Sequence, residues 1–72
     1  MDEMVEVFKT NVHTIHDANM LSQLITGHFP GNHVNFDLDD CDRILRIAGT
    51  GLVVDKVISL LNENGFFCTI LE

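Results

Sequence analysis

Two histidines three positions apart, His13 and His16, have the side chains best suited to chemistry in this sequence. Neutral imidazole is the commonest metal ligand in proteins, and it suits zinc, nickel and copper. Two ligands do not complete a zinc site, which is almost always four-coordinate. The third candidate is Cys41 or, alternatively, an aspartate of the same turn, because the predicted strand order places this turn at the same pole of the molecule; Cys68 approaches that pole from the fourth strand. The sequence therefore predicts a metal site at His13, His16 and Cys41 that binds a Zn, Ni or Cu ion.

The same residues also have a purely structural interpretation. Thr14 followed three places later by Asp17 resembles a capping box at the start of a helix. His13 is then an exposed loop residue, His16 belongs to the first helical turn, and Cys41 is part of a polar turn. The sequence alone leaves both interpretations open.

The charge balance argues against nucleic acid and membrane partners. The 72-residue chain has a net charge of -7 and only four lysine and arginine residues, which form no basic stripe to neutralise phosphates. Its first residues are acidic where a signal peptide is basic, and no apolar run approaches the ~20 residues of a membrane span. Cys41 and Cys68 are expected to be free thiols, as in a reducing compartment. We therefore expect a cytoplasmic protein that contacts neither nucleic acid nor membrane.

Catalysis is not expected of this chain. The sequence contains no glycine-rich phosphate loop, nucleophile elbow or Ser-His-Asp arrangement. Residues 1–72 are enough for a single domain with a marginal core, and a domain of this size has no deep cleft in which carboxylates are desolvated and tuned. We therefore expect a binding domain and not an enzyme.

The hydrophobic pattern predicts six elements of secondary structure. Alternating apolar and polar residues indicate strands, and apolar residues recurring every three or four positions indicate amphipathic helices. Pro30, Gly31 and the Asn64-Gly65 pair mark the helix ends. The predicted strands cover residues 4–12, 34–38, 43–47 and 66–71, and the predicted helices cover residues 17–28 and 54–61.

The order strand, helix, strand, strand, helix, strand is the split βαβ plan of ferredoxin-like α+β domains. Right-handed crossovers place the first and third strands in the centre of a four-stranded antiparallel sheet, with both helices on one face. The predicted strand order across the sheet is fourth, first, third, second. The predicted core consists of the apolar residues that face each other across this interface: Val7, Leu21, Leu24, Ile25, Val34, Phe36, Leu38, Leu45, Ile47, Val54, Val57, Ile58 and Leu61.

A wider sequence pattern spans nearly the whole chain and consists of Val5-Glu6-Val7, Met20, Leu24, residues 34–38 and residues 60–66. This pattern resembles that of a heavy-metal-associated domain, the module of copper chaperones and of the N-terminal extensions of metal-pumping P-type ATPases. The family's Met-x-Cys-x-x-Cys loop falls on Asn11, His13 and His16, so the resemblance implies a metal-binding loop in which imidazoles replace thiolates. The implied function is metal handling; the alternative is a metal-free protein-interaction or regulatory domain on the same scaffold.

The sheet face turned away from the helices, called the open face below, is expected to carry an apolar patch. Alternation opposite to the buried residues places Phe8 and Ile44 on this face, and the register of the resembled family adds Phe67. A continuous apolar patch on a small domain marks a contact surface, so we expect a protein partner or a homodimer there. The alternative is an ordinary monomer with scattered surface hydrophobes.

Overall fold

The computed structural model describes residues 4–71, which form four strands and two helices in the predicted order. The strands are β1 (Met4–Thr10), β2 (His33–Asp37), β3 (Ile44–Gly49) and β4 (Cys68–Ile70), and the helices are α1 (Ile15–His28) and α2 (Val54–Glu63). Neither helix of this described range is long and apolar enough to cross a membrane.

The four strands form one antiparallel sheet in the order β2-β3-β1-β4, as predicted. α1 packs against β2, α2 packs against β4, and the two helices contact each other. Buried residues of both helices share one cluster with buried residues of the central strands. The architecture is therefore the ferredoxin-like βαββαβ fold that the sequence predicts, with β2 and β4 at the edges of the sheet.

α1 starts two residues before the predicted Asp17 because Thr14 caps it. The Thr14 side-chain oxygen accepts a hydrogen bond from the Asp17 N–H at 3.1 Å. This bond satisfies one of the free N–H groups in the first helical turn. The helix ends at His28, as predicted, two residues before Pro30.

The β2–β3 hairpin turns through residues 38–43. Arg43 has a φ of 48°, a left-handed conformation that belongs to the turn, so β3 begins at Ile44 and not at the predicted position 43. The Arg43 guanidinium donates a hydrogen bond to the Leu38 carbonyl oxygen and closes the turn. β3 continues to Gly49, two residues beyond the prediction.

The end of α2 is a Schellman motif, which confirms the predicted cap. Gly65 has a φ of 87°, and its N–H donates to the Asn62 carbonyl at 3.0 Å. The Phe66 N–H donates to the Leu61 carbonyl at 2.9 Å, so the last free carbonyls of the helix are satisfied. β4 follows and covers three residues, fewer than the predicted 66–71.

Most of the predicted core is confirmed. Six of its residues are fully buried: Leu21, Ile25, Leu45, Ile47, Val57 and Leu61. Six others are partly buried and pack against this cluster: Leu24, Val34, Phe36, Leu38, Val54 and Ile58. The remaining predicted residue, Val7 of β1, points to the open face.

The prediction for β1 is wrong about which face is buried. Phe8 is 0% exposed and lies in the core, whereas Val7 is half-buried on the open face. The register agrees, because Phe8 stands opposite the buried Leu45 and Val7 stands opposite the exposed Arg46. The strand has apolar residues in both alternations, and the larger aromatic ring gains more by burial than the valine.

The predicted apolar patch on the open face therefore has other residues on β1, because Val7 and the 55% exposed Val5 lie there. Phe8 is not part of it, since its ring lies between the sheet and the helices. Ile44 lies on the open face by register, but it is only 6% exposed, while Phe67 is 50% exposed. A dimer through Phe8, Ile44 and Phe67 would therefore have Phe67 as its one well-exposed residue.

Candidate functional site

The loop that carries the predicted metal ligands begins at a hydrogen-bonded junction around Thr10. Its N–H donates to the Asp42 carbonyl at 3.1 Å, and its hydroxyl donates to the Arg43 carbonyl at 2.6 Å. The same hydroxyl oxygen accepts a bond from the Val12 N–H at 3.2 Å. Thr10 is 4% exposed, so these bonds also satisfy its buried polar groups. The end of β1 is thus fixed to the β2–β3 hairpin.

Asn11 fixes the same loop to the start of β4. Its side-chain carbonyl accepts a hydrogen bond from the Phe67 N–H at 2.8 Å. The β1–α1 loop, the β2–β3 hairpin and the segment before β4 therefore meet at one pole of the sheet, as the topology predicts. Asn11 stands at the methionine position of the resembled family, and here its side chain has a structural role.

The histidines of the predicted site lie at this pole with exposed side chains. His13 lies in the loop, and His16 lies in the first turn of α1. Among residues 4–71, a group of three potential ligand side chains within 4.8 Å of one another is formed by Asp40, Cys41 and Asp42, and neither histidine belongs to it. A site made of His13, His16 and Cys41 together stays a prediction.

The Asp40-Cys41-Asp42 group has a structural explanation in the hairpin. The Asp40 carboxylate accepts a hydrogen bond from the Asp42 N–H at 2.8 Å, which is the bond of an Asx turn. The Asp42 carboxylate lies 3.6 Å from the Lys9 ammonium. Both carboxylates therefore have partners that stabilise the turn, while the Cys41 thiol is exposed and free.

The second cysteine belongs to the core. Cys68 is 6% exposed and free, and it packs in the main hydrophobic cluster. Burial raises the pKa of the Cys68 thiol from 9.0 to about 11, because the thiolate would lose its hydration. The thiol therefore stays protonated at neutral pH and is a poor metal ligand there.

A groove of about 380 Å³ lies between α1 and the edge strand β2, and we call it the α1–β2 groove. One helix face forms its wall, and consecutive residues of β2 and the following turn form its floor and rim. The lining residues are Ile15, Ala18, Asn19, Ser22, Val34, Asn35, Phe36, Asp37, Leu38 and Asp39.

The groove exists because α1 does not cover the outer edge of β2. The wall residues of α1 are spaced as one helical face, and two of them, Ala18 and Ser22, have small side chains. Val34, Phe36 and Leu38 are consequently only partly buried, although they point toward the helices. An apolar surface thus remains open at the sheet edge.

Acidic and apolar side chains border the groove. Asp39 is exposed at its rim, Asp37 is exposed at the same sheet edge with its side chain on the open face by register, and Ile15 is 72% exposed at the start of the wall. In the described part of the chain the ion pair is Lys9–Asp42, so Asp37 and Asp39 are in no ion pair there, and the nearby Arg43 guanidinium is bonded to the Leu38 carbonyl between them. The groove can therefore accept apolar side chains and, at its rim, positively charged groups.

Sequence reasoning did not identify this groove. The alternation of Val34, Phe36 and Leu38 indicates a strand with one buried face, and the strand order places it at an edge. The spacing of Ala18 and Ser22 was a further signal, since small residues on a helix face leave space beside a neighbouring element. These signals become informative only when α1 and β2 are known to be adjacent.

Comparison with known proteins adds no relative. No protein-family model, curated protein or solved structure matches the chain. The resemblance to heavy-metal-associated domains therefore stays a prediction that depends on the residues of the wider sequence pattern.

Proposed function

We propose that this chain is a protein-interaction module that binds a segment of another protein in the α1–β2 groove. The observation that carries the proposal is the groove itself, an open volume of about 380 Å³ with an apolar floor at the edge of the sheet. Apolar grooves that exclude water from a few anchoring side chains are typical of peptide recognition. The module acts by binding and has no catalytic step.

The proposal is also supported by how the polar residues of the molecule are used. At the pole of the predicted metal loop, Asn11, Thr14 and Asp42 each contact a neighbouring segment or cap a helix. Beside the groove, the carboxylates of Asp37, on the open face, and Asp39, at the rim, are in no ion pair among residues 4–71. Carboxylates that are in no ion pair among these residues are available to a ligand.

Selection of peptides by the immobilised domain tests the proposal. Asn19→Trp places a large ring in the wall of the groove, and Gln23→Trp places the same ring on an exposed position of α1 outside it. We expect selected peptides to bind the parent and Gln23→Trp equally and to bind Asn19→Trp at least about tenfold more weakly. Peptides that bind all three proteins equally, or a failure to select any peptide, would overturn the proposal.

Metal binding by the loop is tested separately on the same protein. Zinc, nickel and copper are titrated into the parent and into a variant with both His13→Ala and His16→Ala, and the imidazole NMR signals are followed. Binding in the parent that disappears in the double variant would establish the metal-handling function predicted from the resemblance. Unchanged imidazole signals would eliminate it.

A further inference from the structure

One hydrogen bond, between β1 and the residue that follows β4, shows which way the backbone groups point in each strand of the sheet. The Leu71 N–H donates to the Val7 carbonyl at 2.9 Å, so the backbone N–H and C=O of Val7 point toward β4. In an antiparallel sheet the backbone groups of successive residues point to opposite sides. The backbone groups of Phe8 therefore point toward β3, where Phe8 stands opposite Leu45.

The same alternation continues across β3 to β2. Since the backbone groups of Leu45 point toward β1, those of Ile44 and Arg46 point toward β2. Ile44 stands opposite Asp37, and Arg46 stands opposite Asn35, so these two pairs exchange the hydrogen bonds. The backbone groups of Val34 and Phe36 consequently point away from the sheet, toward the free edge of β2.

The two residues with free backbone groups also form the floor of the groove. Val34 and Phe36 direct their side chains to the helix side, where they are partly buried and line the α1–β2 groove. A strand added beside them would find unpaired N–H and C=O groups and an apolar surface at the same two positions. Strand addition gains its affinity from backbone bonds of this kind and its specificity from alternate side chains.

The charge of this edge selects the type of strand. Asp37 lies on the open face beside the free edge, and Asp39 lies just beyond the end of β2. Arg46 stands opposite Asn35, one pair away from Asp37, and the Arg43 guanidinium is bonded to the Leu38 carbonyl; neither arginine is in an ion pair with Asp37 in the described chain. The net charge of -7 further disfavours a second copy of this chain and favours a basic partner.

We infer that the occupant of the α1–β2 groove is an extended basic segment of another protein, which adds to β2 as a fifth, antiparallel strand. Its alternate apolar side chains lie opposite Val34 and Phe36 and enter the groove. Its lysine or arginine side chains point to the open face, beside Asp37. This inference rests on the function proposed above and specifies its partner.

A synthetic peptide of alternating lysine and valine, roughly seven residues long to match a short strand, is the probe. We expect it to bind and to slow hydrogen exchange at the Val34 and Phe36 amides, which are unpaired in the free protein. The Asn35 and Asp37 amides, already paired with β3, should change little. A glutamate–valine peptide of the same length should bind at least about tenfold more weakly.

N-methylation of the peptide tests the backbone bonds directly. In the antiparallel arrangement the valine amides face β2, whereas the lysine amides face solvent. Methylating the valine amides should therefore weaken binding at least about tenfold, and methylating the lysine amides should have little effect. Equal binding of the two methylated peptides would overturn strand addition, even if both still occupied the groove.

Charge reversal tests the position of the basic side chains. Asp37→Lys should weaken the lysine–valine peptide several-fold and improve the glutamate–valine peptide, while Glu63→Lys, the same change at the far end of α2, should do neither. Equal effects of the two variants would overturn the assignment to this edge.

Three further outcomes distinguish the inference from the function on which it depends. If selected peptides occupy the groove but carry no basic or alternating pattern, the strand-addition inference is wrong and the interaction function stands. If the Val34 and Phe36 amides become protected as protein concentration rises without peptide, a second copy is the occupant and the inference is overturned. If no peptide at all reaches the groove, the interaction function itself fails.

Discussion

Two neighbouring residues of β1 provide the sharpest test of the fold. Phe8 and Val7 point to opposite faces of the sheet, and only Phe8 lies between the sheet and the helices. Phe8→Ala should therefore be much more destabilising than Val7→Ala. Both substitutions lie in β1 and both introduce alanine, so each is the control for the other.

The expected magnitudes follow from burial. Phe8 is 0% exposed, and truncating a fully buried phenylalanine to alanine costs about 3 to 5 kcal/mol. Val7 is half-buried, so removing its two methyl groups costs about 1 kcal/mol. A chain of 72 residues is stable by about 4 to 11 kcal/mol, and the phenylalanine substitution therefore removes a large part of the total.

Urea unfolding followed by far-ultraviolet circular dichroism measures both variants, since the chain has no tryptophan or tyrosine to report by fluorescence. With a denaturant slope of about 1 kcal/mol/M for a small domain, the two midpoints should differ by roughly 2 to 4 M. If Phe8→Ala is unfolded without urea, Phe8→Leu, which leaves less of a cavity, provides the measurable step. A larger loss for Val7→Ala than for the Phe8 variants would show that β1 buries its other face and would contradict the assignment of Phe8 to the core.

Three other predictions concern single positions. A β-carbon at Gly49 would lie 2.9 Å from the Asn32 backbone, so Gly49→Ala should destabilise the protein by about 2 kcal/mol. A β-carbon at Gly27 in α1 would have nothing within 4 Å, so Gly27→Ala should stabilise the protein by about 0.5 to 1 kcal/mol. Thermal unfolding measures the stability of both variants. Thr14→Ala removes the α1 cap and should cost about 1 kcal/mol in the same assay, with no loss if the cap is irrelevant. Because burial raises the pKa of Cys68 from 9.0 to about 11, the unfolded chain loses this proton first as pH rises. Stability should thus fall between these pH values by up to about 3 kcal/mol, and Cys68→Ala should lack that part of the loss.

The order of elements and the sheet topology could be predicted because the signals are local and the remaining choices are few. Period-two and period-three-to-four patterns separate strands from helices, and Pro30 and Gly65 stop the helices where the structure stops them. Short connections and right-handed crossovers then leave one sensible arrangement of six elements. The register of β1 could not be predicted in the same way, because Val7 and Phe8 make both alternations partly apolar and only packing against the helices decides between them.

The two candidate sites, the His13–His16 loop and the α1–β2 groove, also differ in whether their sequence signal is local. His13 and His16 are visible in the sequence because their spacing is local, whereas the α1–β2 groove depends on the distance between a helix face and a strand edge. Ala18 and Ser22 create that distance, but small residues are common in helices and carry no signal alone. The α1–β2 groove is formed where small side chains leave a strand edge uncovered, and this absence of side chains produces no recognisable sequence pattern.

The satisfaction of polar groups is what favours the groove over the loop as the functional surface. Most buried polar groups in proteins have a hydrogen-bond partner, and at the pole of the loop the side chains of Thr10, Asn11 and Thr14 have theirs. These side chains stabilise the fold. His13 and His16 are exposed beside them, and among residues 4–71 no group of three potential ligands includes either histidine. Among residues 4–71, the edge of β2 has unpaired backbone groups, an incompletely covered apolar floor and a carboxylate that is in no ion pair. Folding explains none of these three features, whereas the addition of a basic strand from another protein would satisfy all of them at once.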